Sequence, residues 1–259
     1  MEETYRYLLE IQYLGTGYRG WQKQENQPDL PTIQGVLEDK IAVITRHTTR
    51  ICVAGRTDAG VHARQQFAHF DTYKKLEHNK FIYSINSLLK GKESSETISV
   101  KSIKPVDNDF HARFSCKQKT YAYYLLPARV RDVFLAWQYW HTPKITNKNE
   151  FIKKANECGR YLLGTHDFAS FQDADCQAKS SIRTIDNCIF EEKDNMIVMK
   201  ITARSFLQHQ IRITIGTIYE ICTKCEKPEL MQQILQSCDR KNAGITAPAS
   251  GLFLEEILY

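Results

Sequence analysis

Asp58, Tyr121 and Arg212 are the residues whose type and setting could do chemistry. Asp58 lies in AGRTDAGVHARQQFAHFD, Ala54 to Asp71, where Gly55 and Gly60 bracket an arginine, a threonine and the aspartate. The ordinary role for such a carboxylate is an Asx-turn, its side chain bonding its own backbone. The other role is catalytic, and spacing alone favours the turn. Arg212, in SFLQHQIRITIG, falls on a helix whose neighbours are largely apolar. An unpaired buried charge is very costly, so that arginine needs a carboxylate partner. Asp58 is a suitable one. Tyr121 lies mid-strand in KQKTYAYYLL, where alternation points it to the face of Tyr123. It is either ordinary sheet packing or a stacking platform beside Lys117 and Lys119.

These residues must be positioned by alternating strands and helices. Tyr5 to Tyr13 alternates and is β-prone. A long loop follows, with Gly15, Gly17 and Gly20 around Tyr18 and Trp21. It lacks the dinucleotide and Walker patterns of phosphate-cradling loops, so it reads as a surface loop with an aromatic anchor. Thr32 caps a helix with Ile33, Val36, Leu37, Ile41 and Ile44 on its apolar face. Ile51 to Ala54, Gln66 to Thr72 and Thr97 to Ile103 read as strands, Phe81 to Leu89 as a helix. Pro105 to Asp109 is a seam. Beyond it Thr120 to Leu126 is a strand, Asn149 to Leu163 a helix, and Ile182 to Phe190 with Met196 to Ala203 a hairpin. Leu207 to Thr223 and Glu229 to Ser237 are helices, and Leu252 to Leu258 closes as a strand. The expected architecture is α+β, with two similar subdomains, residues 1–106 and 107–259. Each is a mostly antiparallel sheet flanked by helices, and active sites tend to lie in the crevice between two such halves.

Bulk properties set outer limits. The 259 residues carry 35 basic against 30 acidic side chains, a net +5. That balance is compatible with a polyanionic partner. Thirteen tyrosines leave aromatic faces to spare for base stacking. MEETYRYLLEIQYLG has no signal-peptide pattern and no long uncharged apolar run occurs, so a cytoplasmic protein without a membrane partner is expected. The eight cysteines fit a reducing compartment. Cys222 and Cys225 form a C-x-x-C, but no second ligand pair is spaced for zinc. All eight read as free thiols, most of them buried, and no metal is expected.

GYRGWQKQ (17–24), AGRTDAGVHA (54–63), DFHARFS (109–115), KTYAY around Tyr121, GTHDFASF (164–171), CQAKSSIRTI (176–185) and FLQHQIR (206–212) resemble the successive signatures of the TruA family of tRNA pseudouridine synthases. They stand in the family's order across nearly the whole chain, and GRTDAGVHA is the most specific. The resemblance implies an isomerase without metal or organic cofactor. Its substrate would be the tRNA anticodon stem-loop, at uridines 38, 39 and 40, and its assembly a homodimer whose two subunits touch one tRNA. It makes Asp58 the catalytic carboxylate, with Arg212 holding it charged. Tyr121 would pack against the target base, and its hydroxyl is a candidate to help move the C5 proton. A stacked base must be flipped out at a cost of roughly a few kcal/mol. Arg56 is the residue implied to fill the gap or grip the displaced backbone.

The sequence departs from the family pattern at Leu14, Lys90 and Gln210, where an acidic residue, a proline and a methionine are usual. None is a proposed catalytic position, but they bear on target range. Two competing readings remain: a pseudouridine synthase with other or wider RNA targets, and an RNA-binding protein that has lost catalysis.

Overall fold

The computed structural model describes residues 3–23, 30–90 and 96–259. Gln24 of GYRGWQKQ and the loop through residue 29, like residues 91–95 after Lys90, lie outside the described residues. Along the chain run β1 (Tyr5–Tyr13), α1 (Ile33–Thr45), β2 (Cys52–Val53), β3 (His62–Thr72), α2 (His78–Leu89), β4 (Ile98–Val106), β5 (Gln118–Leu126) and β6 (Trp140–His141). Then come α3 (Lys148–Arg160), β7 (Gly164–Asp167), β8 (Ile182–Lys193), β9 (Met196–Ala203), α4 (Gln210–Thr223), α5 (Leu230–Ser237) and β10 (Leu252–Leu258). The fold is α+β: β1–β3, β1–β4, β2–β3, β5–β9, β7–β8 and β8–β9 pair antiparallel, and β5–β6 parallel.

The chain divides into two compact units, Met1–Lys117 with Leu254–Tyr259, and Gln118–Phe253. In the first, strands follow the order β4-β1-β3-β10, and β2 pairs with β3, Cys52 opposite His69. Tyr7, Leu8 and Leu9 of β1 are buried in succession, so both faces of the sheet are covered there. Thr32 caps α1 by accepting the Gly35 amide hydrogen. Ile33, Leu37 and Ile41 are buried as their spacing predicts, but Val36 and Ile44 are half-exposed. Gln34 and Thr45 are buried instead, because both are satisfied locally: the Gln34 carbonyl oxygen accepts from the Lys23 amide, and the Thr45 hydroxyl donates to the Ile41 carbonyl.

Past β4 the chain stays with the first unit as far as Lys117. Arg6 pairs with both Asp71 oxygens, at 2.7 and 2.8 Å, and Nη1 donates to the Phe110 carbonyl at 2.9 Å. The Ala112 amide donates to His69 Nδ1, and the Tyr259 hydroxyl to the Ala112 carbonyl. DFHARFS is thus tied to β1, β3 and the C-terminal residue.

The second unit has the strand order β5-β9-β8-β7. Asp194 and Asn195 turn the β8–β9 hairpin with φ of 49° and 63°, the left-handed geometry that Asp and Asn tolerate in two-residue hairpin turns. Helix α4 begins at Gln210, later than its apolar run predicts, because His209 is left-handed at φ 58°. No described helix is long and apolar enough to cross a membrane.

Candidate active site

Asp58 sits in a turn locked from several sides within the first unit. The Thr57 hydroxyl is 2.7 Å from that of Tyr13, and both residues are buried. Burial pushes the Tyr13 phenol up to about 12, so it stays a neutral hydrogen-bonding group. Gln66 Nε2 donates to the Gly55 carbonyl at 2.8 Å, and the Val61 amide donates to the Asp58 carbonyl at 3.2 Å. The glycine-rich loop closes over this turn: the Trp21 amide donates to the Thr57 carbonyl, and the Gly15 amide to His62 Nδ1. A Cβ on Gly15 would lie 2.0 Å from the Val61 oxygen, and one on Gly20 2.6 Å from the Thr57 oxygen. The loop is held in turn by α1, whose Ile33 and Gln34 amides donate to the Gly20 and Trp21 carbonyls. Amides at a helix start have no partner within the helix and are free to do this. Tyr18 and Trp21 are buried, so the aromatic-anchor reading of the loop holds, and the loop acts as a clamp. Asp58 ends up half-buried, while Arg56 two residues before it is exposed.

Tyr121 and Arg212 belong to the second unit. Tyr121 is buried on β5 opposite Ile201, its ring edge-on to Phe206 at 5.3 Å. Tyr123 is buried too, and its hydroxyl donates to the Pro248 carbonyl. Arg212 is half-buried in the first turn of α4, where the positive end of the helix disfavours a cation. Its Nε donates to the Ala247 carbonyl at 2.8 Å, and the Ala247 amide donates back to the Arg212 carbonyl. The preceding loop is pinned by His209 Nδ1 against Asp173 at 2.5 Å. Gln210 is buried, and its carbonyl oxygen accepts from the Leu207 amide. The usual methionine is therefore replaced by a group that braces the turn before Arg212. The Tyr13–Thr57–Gln66 lock, the Phe206 contact and the Ala247 clasp escape sequence reasoning, because each joins positions with no shared local pattern.

A family model described as tRNA pseudouridine synthase matches residues 10–115 and 159–259. The chain belongs to the tRNA pseudouridine synthase family. It is 39% identical over 258 residues to the protein named tRNA pseudouridine synthase A of Wolbachia pipientis wMel, covering 98% of this chain and 100% of that one. To its namesake of Anaplasma phagocytophilum (strain HZ) it is 37% identical over 254 residues, 98% and 100% of the two chains. The Caldicellulosiruptor saccharolyticus protein of that name is 38% identical over 252 residues, 97% and 98%.

Pseudouridine synthases are isomerases, and this family member has one described cluster of metal-binding residue types. Cys52, His69 and His111 bring their ligand atoms within 4.8 Å of one another. The hydrogen bonding disfavours an ion: Nδ1 of His69 accepts from the Ala112 amide and Nδ1 of His111 from the Arg113 amide. In a neutral ring the other nitrogen then carries the proton and has no lone pair to give. The Arg6 charge further holds both imidazoles below their usual range, after burial itself. All eight cysteines are free thiols. Only Cys116, Cys158 and Cys188 are buried, so most of the thiols reach the surface, contrary to expectation. Cys222, its pKa raised first by the hydrogen bond with the Cys158 thiol and then by burial, is partnered by Cys158 and not by Cys225 of the C-x-x-C.

Proposed function

We propose that this protein converts uridine to pseudouridine in the anticodon stem-loop of tRNA, at positions 38, 39 and 40, with Asp58 as the catalytic carboxylate. The observation that carries the reading is the locked GRTDAG turn, which presents one half-buried carboxylate on a preorganised backbone. The reaction breaks the N1–C1′ bond and joins the same sugar carbon to C5 of the same base. Atoms are conserved and no electrons are exchanged. The step is akin to retaining glycoside chemistry, in which a carboxylate meets an oxocarbenium-like sugar. One carboxylate suffices because the uracil is both leaving group and returning nucleophile.

Tyr121 is assigned to pack against the flipped base and Arg212 to a cationic catalytic role, both by the family resemblance. Arg56 is exposed beside Asp58 and fits a contact to the displaced backbone. Cytoplasmic location and a homodimeric assembly complete the proposal. A pseudouridine synthase of wider target range is the second reading, raised by the departures from the family pattern at Leu14, Lys90 and Gln210.

The test is Asp58→Asn. The amide is nearly isosteric, so the turn keeps its shape while the charge is lost. Tritium release from C5-labelled uridine in tRNA is expected to fall by roughly 10³-fold or more, with tRNA affinity within about twofold. A folded variant that still turns over at near wild-type rate would falsify the assignment. Mapping pseudouridine in tRNA from cells lacking the protein reports the positions.

A further inference from the structure

A pocket of about 300 Å³ opens at the end of β3 remote from Asp58, between the 46–50 loop and the 72–75 segment. Its walls include His47, Thr48, Arg50, Asp71 and Tyr73. The two segments are stitched together: the Thr49 hydroxyl donates to the Asp71 carbonyl at 2.8 Å, and Lys74 Nζ to the Ile44 carbonyl at 3.0 Å. Tyr73 packs against the His47 ring, centroids 5.8 Å apart, and is itself 59% exposed.

The charge of the site is one-sided. Asp71 is neutralised by its two bonds to Arg6, which hold its carboxyl below the usual range. Arg46, Arg50, Lys74 and Lys75 are exposed around it. Arg50 lines the pocket and among the described residues makes no hydrogen bond or ion pair, so its donor fork is unused. His47 Nδ1 faces the Thr45 carbonyl at 3.3 Å and so carries the ring proton, leaving Nε2 buried without a partner. An unused guanidinium and an exposed aromatic ring on one polar wall match the phosphate and base of a ribonucleotide.

We propose that this pocket is a second RNA subsite, in which a phosphate of the substrate seats on Arg50 and a neighbouring base stacks on Tyr73. The proposal rests on tRNA being the substrate. The pocket takes in His69 to Thr72 of β3, so the seven strand residues His62 to Ala68 separate it from the Asp58 turn, roughly 20 Å of strand. The subsite therefore holds a part of the RNA away from the reacting uridine, adding affinity without touching the chemistry.

The experiment compares wild type, Arg50→Ala, Arg50→Glu, Tyr73→Ala and the control Lys104→Ala, an exposed lysine on β4 of the same unit. Filter binding to tRNA is measured across salt, beside KM and kcat from tritium release. Arg50→Ala is expected to raise Kd and KM about three- to tenfold, with kcat at saturating tRNA unchanged and the salt slope reduced by about one. Arg50→Glu should do more, Tyr73→Ala should raise Kd several-fold with little change in slope, and Lys104→Ala should do neither. Unchanged Kd in both Arg50 variants, or equal losses in Lys104→Ala, overturns the subsite. Inorganic phosphate titrated against wild type and Arg50→Ala separates sources. Saturation that depends on Arg50, without any change in tRNA Kd, assigns the pocket to free phosphate and overturns the RNA reading. If wild type releases no tritium, the proposed activity fails, while the tRNA binding comparison still decides the subsite.

Discussion

His69 shows how a single side chain can serve architecture and set a pH limit. Burial first, then the Arg6 and His111 charges, lower its pKa to about 4. In the unfolded chain it returns to about 6.5. The unfolded state therefore binds more protons between these values, so the neutral ring stabilises the fold above about pH 6.5. That stability drains away as pH falls towards 4, on the order of 3 kcal/mol in all. His111, lowered by burial and Arg6, acts in the same direction. His69→Asn keeps an oxygen to accept the Ala112 amide and removes the titration. Urea unfolding from pH 7 to 4.5 should show a clearly shallower loss of stability in the variant; identical slopes would sink this account. None of this is legible in the sequence. Cys52, His69 and His111 meet through the β2–β3 register and the return of the 109–115 segment, and HAR at 111–113 carries no sign of either. The catalytic role proposed for Asp58 rests only on the long GRTDAGVHA signature, since the glycine spacing by itself points to a turn.

Elements read well where their signal is local. Alternation gives β1 its observed limits, Tyr5 to Tyr13, and Thr32 marks the start of α1. Helix α4 is displaced because a left-handed histidine leaves no compositional mark. The part played by the glycine-rich loop was hidden as well, because its glycines answer to a distant turn. Gly17 and Gly20 both have positive φ, 85° and 79°. They differ in what a methyl group would meet: nothing within 4 Å at Gly17, the Thr57 oxygen at 2.6 Å and the Asp58 carbonyl carbon at 2.9 Å at Gly20. Gly17→Ala should thus cost only the backbone term, about 1–2 kcal/mol, with kcat nearly unchanged. Gly20→Ala adds a clash that pushes the clamp off the Asp58 turn, so its melting temperature should fall further and kcat should drop about tenfold or more. Thermal melts beside tritium release decide it. Equal effects at the two positions would mean that the loop does not hold the turn.

At the scale of the molecule, 35 basic against 30 acidic residues give only +5, a small excess for a protein whose substrate is a polyanion. Binding must then come from where the cations stand. Acidic groups near the proposed subsite are already engaged, Asp71 by Arg6 and the Glu77 carboxylate by the Asn79 and Lys80 amides, while Arg46, Arg50 and Lys75 stay exposed. Each phosphate neutralised by such a residue releases condensed counterions, and binding weakens with salt in proportion to their number. With about six contacts, tRNA affinity should fall roughly 10³-fold between 50 and 200 mM salt. The chemistry should respond differently. The step proposed for Asp58 takes place inside a formed complex, so kcat at saturating tRNA should barely change while KM climbs with Kd. Turnover measured against tRNA concentration at several salt levels separates the two. A flat affinity would remove the electrostatic grip, and a kcat that collapsed in parallel with affinity would place salt-sensitive charge pairs in the catalytic step itself.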